Sequence, residues 1–311
     1  MKPHYGSNFE LYQVPDIYSD DALDAVLDGV DGVVHMAMNM DLDPHDLAVI
    51  DATIKSIIQL LEKAARHPTI KRIVWTSSMS ACNQQSPGTR YKINTGSVNE
   101  WAIEEAKKPW DGKGHPTARG IILYAAAKAC AERKAWEWMS HHKPHFAFNV
   151  VFPDATWGIS VSPENQSYKS SAALLDSLVK GSTVASSILP SRWFVDVEDV
   201  GLLHMAALTL DEVANERIFA CAGPYSWTAI LEIMHRRYPD KGTIPQSVNE
   251  TSFDIGEIDN SRSIEILRKF GKPGFTSLED TITKAVNQII ECESKNIPKT
   301  WIDLYLESVA S

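Results

Sequence analysis

Glycine is scarce at the front of this chain: Gly6 stands alone ahead of Gly29. A glycine-rich strand-to-helix turn, whose backbone N–H groups cradle a pyrophosphate, is therefore absent there. Cysteine is also sparse. Cys82, Cys130, Cys221 and Cys292 fall at no paired spacing, which suits a reducing compartment and gives no zinc signature. No stretch approaches the roughly 18 apolar residues of a membrane span, and the opening residues Met1 to Gly6 carry no apolar signal core. Positive charge is in deficit: 30 Lys and Arg stand against 40 Asp and Glu, a net charge of -10. That balance argues against nucleic acid or an anionic membrane as the main partner. Repeats and low-complexity linkers are missing as well. The expectation is a soluble cytosolic protein.

At 311 residues, with 44% hydrophobic and 23% charged residues, the chain can bury a large core as one α/β domain or one domain plus a smaller lobe. Apolar patterning predicts short strands over 9–14, 32–37, 72–77 and 148–152, with Pro15-Asp16 ending the first. Between them fall helices over 22–30, 47–65 and 124–139, and a long polar loop over 83–118 with one short helix near 98–106. Alternation of strand and helix from 9 to 152 is the pattern of a parallel sheet covered on both faces. Beyond Pro153 the alternation weakens. A helix is expected over 171–179 and strands over 193–197 and 217–222. Asp199 and Ser226 are candidate helix caps, and Ser277-Leu278-Glu279-Asp280 opens a helix to Cys292 as a capping-box variant.

Two local features carry chemistry. Thr76-Ser77-Ser78 closes a strand with hydroxyls, and Tyr124-Ala125-Ala126-Ala127-Lys128 places a phenol and an ammonium on one helix face. An ammonium near a phenol favours tyrosinate, so Lys128 is expected to lower the Tyr124 pKa toward working pH. Tyr124 could then donate a proton to a carbonyl oxygen while hydride arrives at carbon, with a hydroxyl of the 76–78 run holding that oxygen. The plain alternative is a helix with a buried tyrosine and a solvated lysine. His35 on an apolar strand reads as a satisfied core histidine. His141-His142-Lys143-Pro144-His145 reads as a helix-to-strand turn, with no metal site. Trp101, Trp110, Trp157 and Trp193 are candidates for a substrate cleft or for packing.

These segments, in this order, resemble the extended short-chain dehydrogenase/reductase superfamily, in its branch of dihydroflavonol reductase-like ketone and aldehyde reductases. The resemblance covers residues 9 to about 290. It is carried by 29–37, by Trp75-Thr76-Ser77-Ser78, by Tyr124 and Lys128 followed by Ala131-Glu132, by Val151-Phe152-Pro153, and by 193–200. It implies a Rossmann-type parallel sheet with helices on both faces, lacking its N-terminal strands, and a smaller C-terminal substrate lobe. Residues 1–152 would form an incomplete dinucleotide-binding core, and 153–311 a substrate lobe with returning core elements. The implied catalytic set is Ser78, Tyr124 and Lys128, with Lys128 also holding the nicotinamide ribose. Asp16 and Ile17 would flank the adenine, His35, Met36 and Ala37 would line the dinucleotide groove, and Pro153 would stand beside the nicotinamide. The implied cofactor is NADP or NAD, NADP favoured, and the implied substrate is a small or medium hydrophobic ketone or aldehyde, as in secondary-metabolite biosynthesis.

In the family a Gly-x-x-Gly-x-x-Gly turn precedes the strand matching 9–14. Charge-assisted hydrogen bonds contribute roughly 1.5–3 kcal/mol each. Losing two or three is expected to weaken cofactor binding by about 10²–10⁶-fold. Ser56 also departs from relatives with glycine at that helix. Two other readings compete: a cofactor-free binding or scaffolding protein, and a sugar-nucleotide epimerase or dehydratase of the same fold.

Overall fold

The computed structural model describes residues 6–14, 17, 23–84, 86–113 and 116–310. In chain order the elements begin with α1 (Asp24–Leu27), β1 (Gly32–His35), α2 (Ala48–Ala64), β2 (Arg72–Thr76), β3 (Lys92–Ile93), α3 (Glu100–Ala106), α4 (Pro116–His142), β4 (Ala147–Pro153) and β5 (Ala155–Trp157). They continue through α5 (Pro163–Gln166), α6 (Ser171–Val179), α7 (Val184–Ile188), β6 (Trp193–Asp196), α8 (Val197–Thr209), β7 (Arg217–Ala220), β8 (Gly223–Pro224) and α9 (Trp227–Arg237). The last are β9 (Glu257–Ile258), α10 (Ser261–Lys269), α11 (Leu278–Cys292) and α12 (Trp301–Ala310).

The main sheet runs β1-β2-β4-β7, all parallel. β2, β4 and β7 bury both faces, while β1 at the edge leaves Val34 exposed. Ile73, Trp75, Phe148, Val150 and Phe152 pack on one side with Ile57 and Leu61 of α2 and Ala131 and Ala135 of α4. Val74 and Val151 face the other way, onto Leu203, Ala206 and Ala207 of α8 and Ile266 of α10. Asn149, fully buried, is tolerated because its amide donates to the Ala207 and Val213 carbonyls, each at 2.8 Å, and its oxygen accepts from Glu216 N at 2.9 Å. Parallel register sets His35 beside Trp75, Thr76 beside Val151 and Pro153 beside Ala220. The carboxyl ends of the strands therefore share one edge, where open α/β sheets take their ligands.

A second apolar core gathers Trp157, Leu174, Leu178, Trp227, Met234, Ile282 and Val286 around the small β5-β6-β8 sheet. β5 and β6 are parallel, β6 and β8 antiparallel. Ser226 and Ser277 cap α9 and α11 as the sequence predicts, accepting from Ala229 N and Asp280 N. At α8 the cap is Asp196, which accepts from Glu198 N; Asp199 lies inside the helix, buried and paired with Lys272. Two acids three residues apart both suit a cap; both are buried beside a lysine, and Asp199 is engaged by Lys272 and the Thr276 amide instead of a helix N–H.

Three other expectations change. Residues 9–14 form no strand: they are irregular, with Leu11 79% and Tyr12 61% exposed. An apolar–polar alternation becomes a strand only beside a partner ladder, and none of the described strands pairs with this segment or with the outer edge of β1. The helix expected over 22–30 shrinks to α1, because Gly29 at φ +70° turns the chain out of it. The polar loop ends early: α4 starts at Pro116, where proline's missing N–H costs nothing. Helices α10 and α12 were not legible in the sequence.

The loop after β1 crosses α4 at Gly120. A Cβ there would sit 2.0 Å from the Leu42 carbonyl oxygen, and Leu42 itself holds φ +53°. Gly120→Ala is expected to destabilise the fold by about 1–3 kcal/mol by pushing backbone against backbone, read as a lower urea midpoint. An unchanged midpoint would mean that the loop lies elsewhere.

Candidate active site

β2 ends at Thr76, and Ser78 caps the single helical turn over 79–81, its Oγ accepting from Ser80 N at 3.2 Å. The Ser78 hydroxyl stands close enough to the Tyr124 phenol to favour its ionised form. Lys128 follows one turn later on α4. Its ammonium donates to the Thr76 carbonyl at 2.7 Å and lies 4.8 Å from the centre of the Trp75 ring. Helix spacing and the strand end thus bring Ser78, Tyr124 and Lys128 together at the carboxyl edge of the sheet.

The electrostatics differ from the expectation. Burial pulls the Lys128 ammonium down to about 7. Burial also pushes the Tyr124 phenol above its ordinary value; the Ser78 hydroxyl and the nearby Arg192 oppose that rise, and Asp154 adds to it. Lys128 is not among the groups that lower Tyr124, because it is turned to the Thr76 carbonyl.

His35 is buried and its Nε2 shares a 2.9 Å hydrogen bond with Ser56 Oγ. Burial, reinforced by Lys128, pulls its ring down to about 4, so it is neutral at pH 7. It is a satisfied core histidine. Met36 and Ala37 emerge exposed after β1, and Pro153 ends β4 half-buried. Ile17 is half-buried in a turn; Asp16 lies outside the described residues. Trp157 and Trp193 are buried and pack in the two cores, and neither lines the narrow cleft beside Tyr124 or the wider one between α4 and the 95–98 loop. His141 and His142 bond the Glu137 and Trp138 carbonyls one turn back, and among the described residues no three potential metal ligands cluster.

Several site residues escaped sequence reasoning. Arg192 pairs with Asp154 behind Tyr124. His204 on α8 donates from Nδ1 to the Val200 carbonyl, leaving Nε2 to accept from the Thr76 hydroxyl at 2.8 Å. The loop after β1 brings Asn39, Leu42, Asp43 and Asp46 to a narrow cleft beside Tyr124. A wider cleft of about 460 Å³ opens between α4 and the 95–98 loop. Its lining includes neither Tyr124 nor Lys128, and its floor is the Glu132–Arg217 ion pair, 2.7 Å long. Glu132, part of the Ala131-Glu132 motif, is therefore a structural partner to β7.

Fold and site together define a class: an open parallel α/β sheet carrying a hydroxyl, a phenol and a buried amine at its carboxyl edge. No protein-family profile matches the chain. It is 36% identical over 287 residues to the ketoreductase adrE of Penicillium rubens, covering 90% of this chain and 81% of the relative. It is 32% identical over 284 residues to aldehyde reductase 2 of Sporidiobolus salmonicolor, with 91% and 81% covered. In fold it matches yeast methylglyoxal/isovaleraldehyde reductase Gre2, solved with NADPH, at a TM-score of 0.74 and 23% identity over 94% of this chain and 88% of that one. The chain belongs to the extended short-chain dehydrogenase/reductase family, in its dihydroflavonol reductase-like branch. No helix among the described residues is long and apolar enough to cross a membrane.

Proposed function

We propose that the chain reduces a ketone or aldehyde with NADPH or NADH, and that Tyr124 is the proton donor. The observation that carries this reading is the placement of Ser78 against Tyr124, close enough to favour the phenolate, with Lys128 one turn on and bonded to the Thr76 carbonyl, at the ligand edge of the sheet. The donor set suits the nicotinamide half of the cofactor: a phenol and an amine that titrates near neutrality flank the ends of β2 and β4. Lys128 would hold the ribose, and His35, Met36, Ala37 and Pro153 would line the groove. When bound, the reduced nicotinamide supplies the hydride. Tyr124, kept protonated by burial, gives its proton to the oxygen that becomes an alkoxide. Ser78 holds that oxygen, its own orientation fixed by the Ser80 amide. Residues 1–152 serve as the dinucleotide core and 153–311 as the substrate lobe, although α8 and β7 return to the main sheet.

The substrate we assign is a small or medium hydrophobic carbonyl compound, lying between the loop after Pro153 and the segment around Trp193. Asp154 and Arg192 bring those two segments to Tyr124. NADPH consumption is measured with ketones, aldehydes and nucleotide sugars. Turnover is expected with the first two, and turnover confined to nucleotide sugars would favour an epimerase or dehydratase. The loop leaving β1 carries no glycine from 36 to 47, so it offers no phosphate cradle. The 311-residue chain is accordingly expected to bind NADPH in the high micromolar range or weaker by fluorescence titration. Low-micromolar binding would place a phosphate site in another segment.

A further inference from the structure

We infer that the buried Arg192–Asp154 ion pair is a positioning pair for the proton donor, holding Ser78 and the Tyr124 hydroxyl through Ser80 and setting the charge they experience. The inference rests on the reading of Tyr124 as the acid. Asp154 directly follows β4 and Arg192 directly precedes β6, and their side chains are 2% and 15% exposed. The fold does not need a charge there: β5 and β6 already hold these segments in register through Ala155 and Phe194. An apolar pair would join them without the cost of desolvating two ions.

The second arm of the guanidinium shows what the pair is aimed at. Arg192 Nη2 donates to Ser80 Oγ at 3.3 Å and Ser80 N donates to Ser78 Oγ at 3.2 Å, and the Ser78 hydroxyl stands beside the Tyr124 phenol. Two hydrogen bonds thus run from the ion pair to Ser78, the neighbour of the phenol, across the turn at 79–81. Other groups face this line. Tyr91, whose hydroxyl donates to Asp254 at 2.5 Å, and Tyr225 stand near Arg192. Asp43 and Asp46 share the narrow cleft with Tyr124. Lys128 is held away by the Thr76 carbonyl. Tyr91 and Tyr225 also feel Asp154 and Arg192, so the Tyr124 signal is followed by itself while the two members of the pair are tested against each other.

Arg192 favours the phenolate and Asp154 opposes it. Removing one charge must therefore move Tyr124 in the opposite sense from removing the other. The test uses the full chain labelled with 3,5-difluorotyrosine, which titrates at lower pH and reports by ¹⁹F NMR. The Tyr124 signal is assigned by its loss in Tyr124→Phe. Asp154→Asn is expected to lower the Tyr124 midpoint by about 0.5–1 pH unit and Arg192→Gln to raise it by about as much. Arg192→Lys should restore most of the original midpoint, and it stands in with Asp154→Asn if Arg192→Gln does not fold. Shifts of the same sign in Asp154→Asn and Arg192→Gln, or none, would overturn the inference, since loosened packing alone moves both one way. The reading of Tyr124 as acid fails separately, if Tyr124→Phe keeps its turnover, whatever the titration shows.

Discussion

Tyr124→Phe is expected to lower carbonyl reduction by at least about 10²–10⁴-fold, the usual contribution of a positioned proton donor. The substitution removes one oxygen from a phenol whose hydroxyl meets Ser78 and leaves the ring to fill its place on α4. Its effect should fall on turnover, while NADPH affinity stays within a few-fold, because the phenol is one contact among several. Steady-state rates and a cofactor titration on the same preparation separate the two. Near-normal turnover would take the proton-donor role away from Tyr124.

Lys128→Met should act in opposite directions on stability and on activity. Burial lowers the Lys128 ammonium from 10.5 to about 7. Between those values the unfolded chain binds a proton that the folded chain has released, so stability rises with pH across this window. Below about pH 7 both states carry the proton, and the full desolvation cost, roughly 3–5 kcal/mol, is present. Methionine removes that cost and forfeits the hydrogen bond to the Thr76 carbonyl, about 1 kcal/mol or somewhat more. Urea unfolding at about pH 6.5 and about pH 9.5 should therefore show a net gain at the lower pH and a flatter pH dependence. Carbonyl reduction should collapse in the same variant, since the amine we assign to the ribose is gone. A variant less stable at low pH would mean that Lys128 is solvated after all.

How much of this was legible in the sequence follows from the range of each interaction. Ser226 and Ser277 cap their helices through contacts three residues away, and Tyr124 and Lys128 share a face through spacing of four. Such features can be read locally, as can the continuous burial of β2 and β4, whose buried residues form unbroken apolar runs but for Asn149. Asp196 displaced Asp199 as the cap of α8 because Lys272, far along the chain, claims Asp199. Residues 9–14 have the composition of a strand and no ladder to join. Nothing in the neighbourhood of Pro153 or Trp193 announces that Asp154 and Arg192 meet behind Tyr124. The electrostatic expectation at Lys128 failed for the same reason. Spacing places an ammonium near a phenol, but only the tertiary structure turns it to the Thr76 carbonyl.

The measurement that meets the central claim most directly is isotope transfer. The purified chain is incubated with saturating NADPH deuterated at C4 of the nicotinamide and a ketone or aldehyde that it consumes, and the product is weighed by mass spectrometry. One deuterium on the carbinol carbon, formed by the wild type and lost in Tyr124→Phe, is the predicted result. Consumption of the carbonyl compound without deuterium at that carbon, or equal labelling by Tyr124→Phe, would contradict it.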